Sequence, residues 1–268
     1  MTETFEPGSG AEVRLDRAGP VATLIVDRPA QRNALSIGIC EQMDQIVGRL
    51  AGDEQLRALV ITGSGEKSFV SGADIGELID YTPADGYRHI EVGHRLFTRI
   101  ERLPVPTIAA INGYCLGGGL ELAMACDIRL ASQNAKLGLP EINIAMLPGW
   151  GGTERLQRLI GQSRAAAMII TGEAITADEA VACGLVLRSQ PSVAELRADA
   201  AALAVKLAGF APLSMRATKQ MLLYSAGLSP EQLVQRDAAL LGWLCTTADA
   251  HEGLSAFLAR RPAVYQGR

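Results

Sequence analysis

The sequence predicts an α/β chain of stacked strand–strand–helix units with a helical last third. Three observations point there. Short β-branched runs ending at glycine or proline turns recur ahead of stretches with helical apolar spacing. The order strand, strand, helix returns three times, which suggests stacked units more than a simple alternating sheet. From about residue 193 the β signals give way to alanine- and leucine-rich helical pattern. With 48% hydrophobic and 20% charged residues the chain is globular. Its 268 residues suit one large domain, or a domain with an appendage, around a sizeable core.

Along the chain, residues 1–10 read as a mobile tail. Val21–Val26 is a strand stopped by Asp27-Arg28-Pro29. Leu35, Ile39, Met43, Ile46, Val47 and Leu50 then fall at helical spacing, with Ser36 near the start. Ala58–Thr62 is the next strand, Gly63-Ser64-Gly65 a turn, and Ser68–Ser71 a short strand. A helical region follows Ala73, and a longer helix covers 84–103. The pattern resumes with strand Thr107–Ile111, turn Asn112-Gly113 and a helix starting within 116–119. A further strand spans Asp127–Ala131. Beyond it, a helix over 194–210 is broken at Pro212, and helices are expected over 213–225, 230–247 and from His251 towards Pro262. The natural division is therefore 1–195 as a core carrying the site and 196–268 as a helical region for packing or assembly.

Several function classes have no support. The formal net charge of −4 offers no footprint for nucleic acid or an anionic membrane. The five cysteines are scattered, with no close pair of zinc or redox type, and read as buried reduced thiols. MTETFEPGSG lacks the basic and apolar regions of a secretory signal, and no run approaches a spanning length. A cytoplasmic location is expected. Gly63-Ser64-Gly65-Glu66-Lys67-Ser68 misses phosphate-loop spacing, and Gly117-Gly118-Gly119 misses the dinucleotide fingerprint. His89, His94 and His251 show no ligand or triad spacing and read as structural. No metal site is expected.

Two glutamates carry the chemical signal. Glu121 closes Gly117-Gly118-Gly119-Leu120-Glu121, and Glu141 opens the stretch that runs to Pro148-Gly149-Trp150-Gly151-Gly152. Ionisable groups deep in apolar sequence find partners, lose their charge or do chemistry. Two carboxylates facing one site form an acid/base pair with separable proton states. Small residues at Ser71-Gly72-Ala73-Asp74 and Leu116-Gly117-Gly118-Gly119 mark strand-to-helix turns, where free amide N–H groups can serve an oxyanion. The residues alone leave two readings level: structural carboxylates, for instance bridged by Arg155, beside close-packed turns, or a catalytic pair beside an oxyanion hole.

At these residues the sequence resembles the crotonase superfamily, the enoyl-CoA hydratase/isomerase family. The matching stretches are Asp27-Arg28-Pro29 with Asn33-Ala34-Leu35, Phe69 through Ile75, Ile111-Asn112-Gly113, Gly117 through Ala123, Cys126-Asp127, Pro140-Glu141-Ile142 and Pro148 through Thr153. Glu252 through Phe257 with Arg260-Arg261-Pro262 resembles the family's C-terminus. The likeness spans nearly the whole chain in order.

The resemblance implies a crotonase-like spiral of ββα units with a C-terminal helical trimerisation region, giving a homotrimer or dimer of trimers. It implies an acyl-CoA thioester substrate, with coenzyme A as part of the substrate and no separate cofactor. By position, the oxyanion donors are the amides of Ala73 and Gly118. Glu121 and Glu141 hold one water between them, with help from the Gly149 N–H. Coenzyme A contacts are expected from Arg28, Arg32, Ala34, Ser71, Gly72, Asp74 and Ile75. Ala30 stands where many relatives carry lysine, which turns attention to Arg32 as the phosphate cation, and Gly76 replaces a larger residue near the acyl pocket. The expected reaction is addition of water across a 2-trans-enoyl-CoA to give a 3-hydroxyacyl-CoA. A positional isomerase, another acyl-CoA enzyme of a specialised pathway, and a non-catalytic acyl-CoA- or RNA-binding relative are the alternatives.

Overall fold

After an opening hairpin, the repeating unit divides its two strands between two sheets. In the computed structural model, which describes residues 12–268, β1 (Val13–Ala18) and β2 (Val21–Val26) form an antiparallel hairpin followed by α1 (Ile37–Leu50). The tail expected over 1–10 lies outside the described residues. β3 (Ala58–Gly63), β4 (Ser68–Val70), α2 (Ile75–Leu78) and α3 (Pro83–Glu101) make the next unit. β5 (Thr107–Ile111), β6 (Tyr114–Leu116) and α4 (Gly118–Met124) make another. β7 (Ile128–Ser132) and β8 (Lys136–Gly138) lead into a 3-10 turn at Glu141–Ile144, then α5 (Gly152–Ile160) and α6 (Gln162–Thr171). After β9 (Ile175–Thr176), α7 (Ala177–Ala182) and β10 (Arg188–Gln190), the chain is helical: α8 (Val193–Ala208), α9 (Pro212–Tyr224), α10 (Pro230–Leu244) and α11 (Ala248–Leu258).

First strands assemble into a six-stranded sheet of order β1-β2-β3-β5-β7-β10, parallel from β2 onward. Second strands form a smaller sheet, β4-β6-β8-β9, in which only β9 runs antiparallel to its neighbour. The corner between the sheets is pegged by two buried asparagines. Asn112 donates to the carbonyls of Gly63 (3.0 Å) and Ser68 (3.1 Å) while its oxygen accepts from the Gly63 N–H (3.2 Å). Asn33 adds a bond to the Ser68 carbonyl at 2.8 Å. Buried strand ends otherwise lack partners, and these amides supply them.

β3 and β5 are buried along their whole length, as parallel strands covered on both faces must be. Leu59, Ile61, Ala109 and Ile111 face the main core, whereas Ala58, Val60, Ile108 and Ala110 pack against Leu196, Ala200 and Ala204 of α8. The 195/196 division therefore falls inside a helix that covers the sheet. By contrast, α10 buries no residue within the chain. Ser36 caps α1 by accepting from the Ile39 N–H at 3.1 Å, which starts the helix at Ile37. α11 ends at Leu258, short of Pro262. Cys40, Cys115 and Cys126 are buried, but Cys183 is half-buried and Cys245 exposed, so the reading of uniformly buried thiols is corrected for those two. Among the described residues no single helix is long and apolar enough to cross a membrane.

Candidate active site

The site forms where two strand-to-helix turns touch. After β4, Leu35 donates to the Gly72 carbonyl (2.9 Å) and accepts from the Asp74 N–H (2.8 Å), which clamps Ala73 without using its amide. After β6, the Gly117 N–H is held by the Gly138 carbonyl at 2.9 Å, and α4 begins at Gly118. First-turn amides of a helix have no intrahelical acceptor. Among the described residues, neither the Ala73 nor the Gly118 amide meets an acceptor. A methyl group at Gly118 would stand 3.6 Å from the Ala73 nitrogen, so the two turns are in contact. Gly117 has φ +52°, and a side chain there would meet Oε1 of Glu141 at 2.8 Å, so only glycine suits the position.

Glu121 lies in the first turn of α4 with 2% of its surface exposed. Its Oε1 accepts the N–H groups of Trp150 (2.8 Å) and Gly152 (2.7 Å). Burial and the neighbouring Glu141 push its pKa up to about 7, against the pull of those amides. Glu141 opens the 3-10 turn, and burial raises its pKa too. Its Oε2 is buried and has no hydrogen-bond partner among the described residues. Near neutrality such a pair titrates jointly and can hold one proton between two carboxylates. On Glu121 burial outweighs the two amide donors, so both carboxylates are held above their ordinary range and either can carry the shared proton.

A cavity of about 590 Å³ joins these groups. Glu121, Glu141, Ala73, Gly118, Gly149, Ser71, Gly72 and Ile75 all line it, as the expected site residues should if they act together. Arg28, Arg32, Ala34 and Asp74 do not. The Arg28 guanidinium instead binds Asp74 Oδ2 and the Ala34 carbonyl, each at 3.1 Å, and Asp74 also accepts from the Gly76 N–H at the start of α2. These residues hold the turn in place from behind. Arg32 is exposed, in a left-handed backbone conformation with φ 53°. Arg155 bridges neither glutamate: it donates to the Trp150 carbonyl (2.7 Å) and pairs with Glu101 (3.2 Å). Among the described residues no group of three or more His, Cys, Asp or Glu side chains is placed to hold a metal ion.

Trp150 is the residue that sequence reasoning undervalued. Its ring fills space left by two glycines, since a Cβ at Gly93 would lie 2.2 Å from the indole and one at Gly118 2.4 Å. Its indole N–H donates to the His89 carbonyl at 2.9 Å, and its ring stacks on the His89 imidazole with centroids 4.6 Å apart. His89 thus packs on Trp150 and also lines the cavity, with burial lowering its pKa. A tryptophan flanked by glycines on both sides in sequence was the available signal, but its partners come from α3 and α4.

Two touching turns with free amides, a carboxylate pair and an apolar cavity suit a carbonyl oxygen that gains negative charge beside a general acid/base pair. The chain matches the enoyl-CoA hydratase/isomerase family over residues 16–268 and belongs to that family. It is 38% identical over 250 residues to the short-chain-enoyl-CoA hydratase of Clostridium acetobutylicum, covering 93% of this chain and 95% of that one. It is also 38% identical to the 2,3-dehydroadipyl-CoA hydratase of Escherichia coli, over 96% of this chain and all of the relative. The crystal structure of an enoyl-CoA hydratase from Bacillus anthracis superposes with a TM-score of 0.93 at 35% identity, covering 96% of this chain and 100% of that chain. The crotonase-like α/β architecture expected from the motifs is thus the observed one.

Proposed function

We propose that the protein is an enoyl-CoA hydratase, a hydro-lyase that adds water across the 2-trans double bond of an enoyl-CoA. The observation that carries this reading is the meeting of Glu121 and Glu141 in one cavity beside the unpartnered amides of Ala73 and Gly118. The thioester carbonyl oxygen accepts from those two amides, which face the negative charge that develops as the β-carbon is attacked. Glu121 takes a proton from water as the water oxygen bonds to the β-carbon. The double-bond electrons move onto the thioester as an enolate, and Glu141 then protonates the α-carbon. Proton return from Glu121 to Glu141 restores the pair. Gly149, at the cavity wall, contributes its N–H to the water.

Coenzyme A itself is taken as part of the substrate, held by backbone groups of the 28–34 loop and the 71–75 turn, with Arg32 as the exposed cation for a phosphate. The helical C-terminal region suits assembly into a homotrimer or a dimer of trimers. α10 buries nothing within the chain yet carries Val234 (67% exposed), Leu241 (64%) and Trp243 (44%). Exposed apolar side chains of this kind support that reading.

Loss of the conjugated thioester absorbance of crotonyl-CoA tests the reading. Turnover by the wild type, with Glu121→Gln and Glu141→Gln each reduced by about 100- to 10,000-fold in kcat, is the expected outcome. A wild type that binds enoyl-CoAs but hydrates none of them would overturn it. Double-bond migration surviving in Glu121→Gln would favour isomerase chemistry on a single carboxylate.

A further inference from the structure

Gly86, His89, Ile90 and Gly93 form one face of α3, because side chains three, four and seven positions apart align on a helix. That face is a wall of the cavity: Gly86, His89 and Ile90 line it, and Gly93 backs onto the Trp150 ring. Two glycines of this wall have their side-chain space already taken. A Cβ at Gly93 would lie 2.2 Å from the indole, and one at Gly149 would lie 2.4 Å from Cδ1 of Ile90. Gly86 is different. A Cβ there meets no heavy atom within 4 Å beyond its own helix turn. Its backbone is ordinary right-handed helix, and glycine is a poor helix former, so neither conformation nor packing asks for glycine. What the missing side chain leaves is open space on the cavity side. Gly93 touches the tryptophan that packs on Gly118, so Gly86 lies at the end of the face away from the oxyanion turns. It stands about 6 Å further along the helix axis than Ile90.

We infer that Gly86 sets the acyl-chain length: the space it leaves takes an uncharged apolar chain longer than crotonyl, and the protein prefers medium-chain thioesters. This rests on the acyl-CoA reading of the cavity. Each methylene that leaves water for this wall strengthens binding, with Ile90 and Leu78 as apolar neighbours in the lining. A side chain at Gly86 would occupy the same space and shorten the chain that fits. Charge argues against a carboxylate at the chain end. The lining contains no lysine or arginine, and its only formal charges are those of the glutamate pair.

Calorimetric binding of butanoyl-CoA and octanoyl-CoA tests this without requiring turnover. The readout is the ratio of the two affinities within each protein, so a general loss of thioester binding cancels. In the wild type the longer chain is expected to bind at least about tenfold tighter. Gly86→Leu should shrink that ratio several-fold and Gly86→Ala less. Ala84→Leu, exposed on α3 and outside the cavity lining, should keep the wild-type ratio. A wild type with no preference for the longer chain would overturn the inference. So would a folded Gly86→Leu with an unchanged ratio, an equal drop in Ala84→Leu, or tighter binding of an ω-carboxylated chain of the same length. Hydration of crotonyl-CoA is measured separately. Thioester binding without hydration sinks the hydratase reading alone, whereas hydration without a length preference sinks this inference alone.

Discussion

On one side of the cavity, Ala73, Gly118 and Glu121 are locked by backbone bonds and by the buried Trp150 ring. On the other, Met146 (51% exposed) and Leu147 (71%) stand largely in solvent. The first wall consists of main-chain amides and a carboxylate whose positions leave no room for a methyl group. The second consists of apolar side chains projecting from short turns with few neighbours. Chemistry on a thioester demands sub-ångström placement of donors, so that wall is built from backbone. Holding an acyl chain demands only apolar surface, which side chains at turns supply.

Four substitutions measure how deep this contrast runs. Among changes that leave both carboxylates in place, the largest effect is expected for Gly118→Ala. The new methyl group meets the Trp150 ring at 2.4 Å, so the ring and the amides that hold Glu121 must shift together. A fall in kcat of about 100- to 1000-fold is expected in the hydration assay, with a folded protein by circular dichroism.

Next comes the cost of keeping Glu121 inside. Its folded pKa of about 7 lies above the ordinary 4.5, so folding takes up a proton between those values. The favourable contribution is complete below about 4.5 and is lost as pH rises through 7. Glu121→Gln removes that titration. The variant should be more stable than wild type at alkaline pH by up to about 3 kcal/mol, with the gap closing towards pH 4.5. Urea melts across this range check it, and equal slopes in the two proteins would contradict it.

A smaller loss is expected for Gly93→Ala, which pushes on the same tryptophan from α3 at 2.2 Å. Overpacking of this sort costs about 1–3 kcal/mol, read as a lowered Tm. The smallest effect belongs to the second wall. Leu147→Ala should change stability by less than about 0.5 kcal/mol and alter KM more than kcat.

Legibility in the sequence followed the same divide. Strands β2, β3, β5 and β7 were readable because each is a β-branched run closed by a turn. Strands β6, β8, β9 and β10, each of two or three residues, carry no periodicity of their own and exist through pairing with neighbours. The stretch holding α5, α6 and α7 was not resolved into elements, although Gly161 and Gly172 mark the ends of its first two helices. Among the expected site residues, those in glycine turns, apart from Asp74, and both glutamates line one cavity. The Arg28–Asp74 side-chain bond was not foreseen, because two opposite charges 46 positions apart in sequence give no sign of pairing. His89 shows no spacing motif, because what places it at the cavity is stacking on Trp150, a contact between segments far apart in the chain.

By itself the sequence determined the stacking of strand–strand–helix units and the presence of two glutamates in apolar surroundings beside glycine turns. Those are local facts: β-propensity, turn chemistry and the cost of burying charge all act within a few residues. Only the tertiary structure decided that the two turns touch, that Trp150 and Gly152 hold Glu121 through their amides, and that His89 stacks on Trp150 at the cavity wall. Each of those depends on contacts between residues far apart in the chain, whose geometry is set by the packing of the two sheets and not by any one segment.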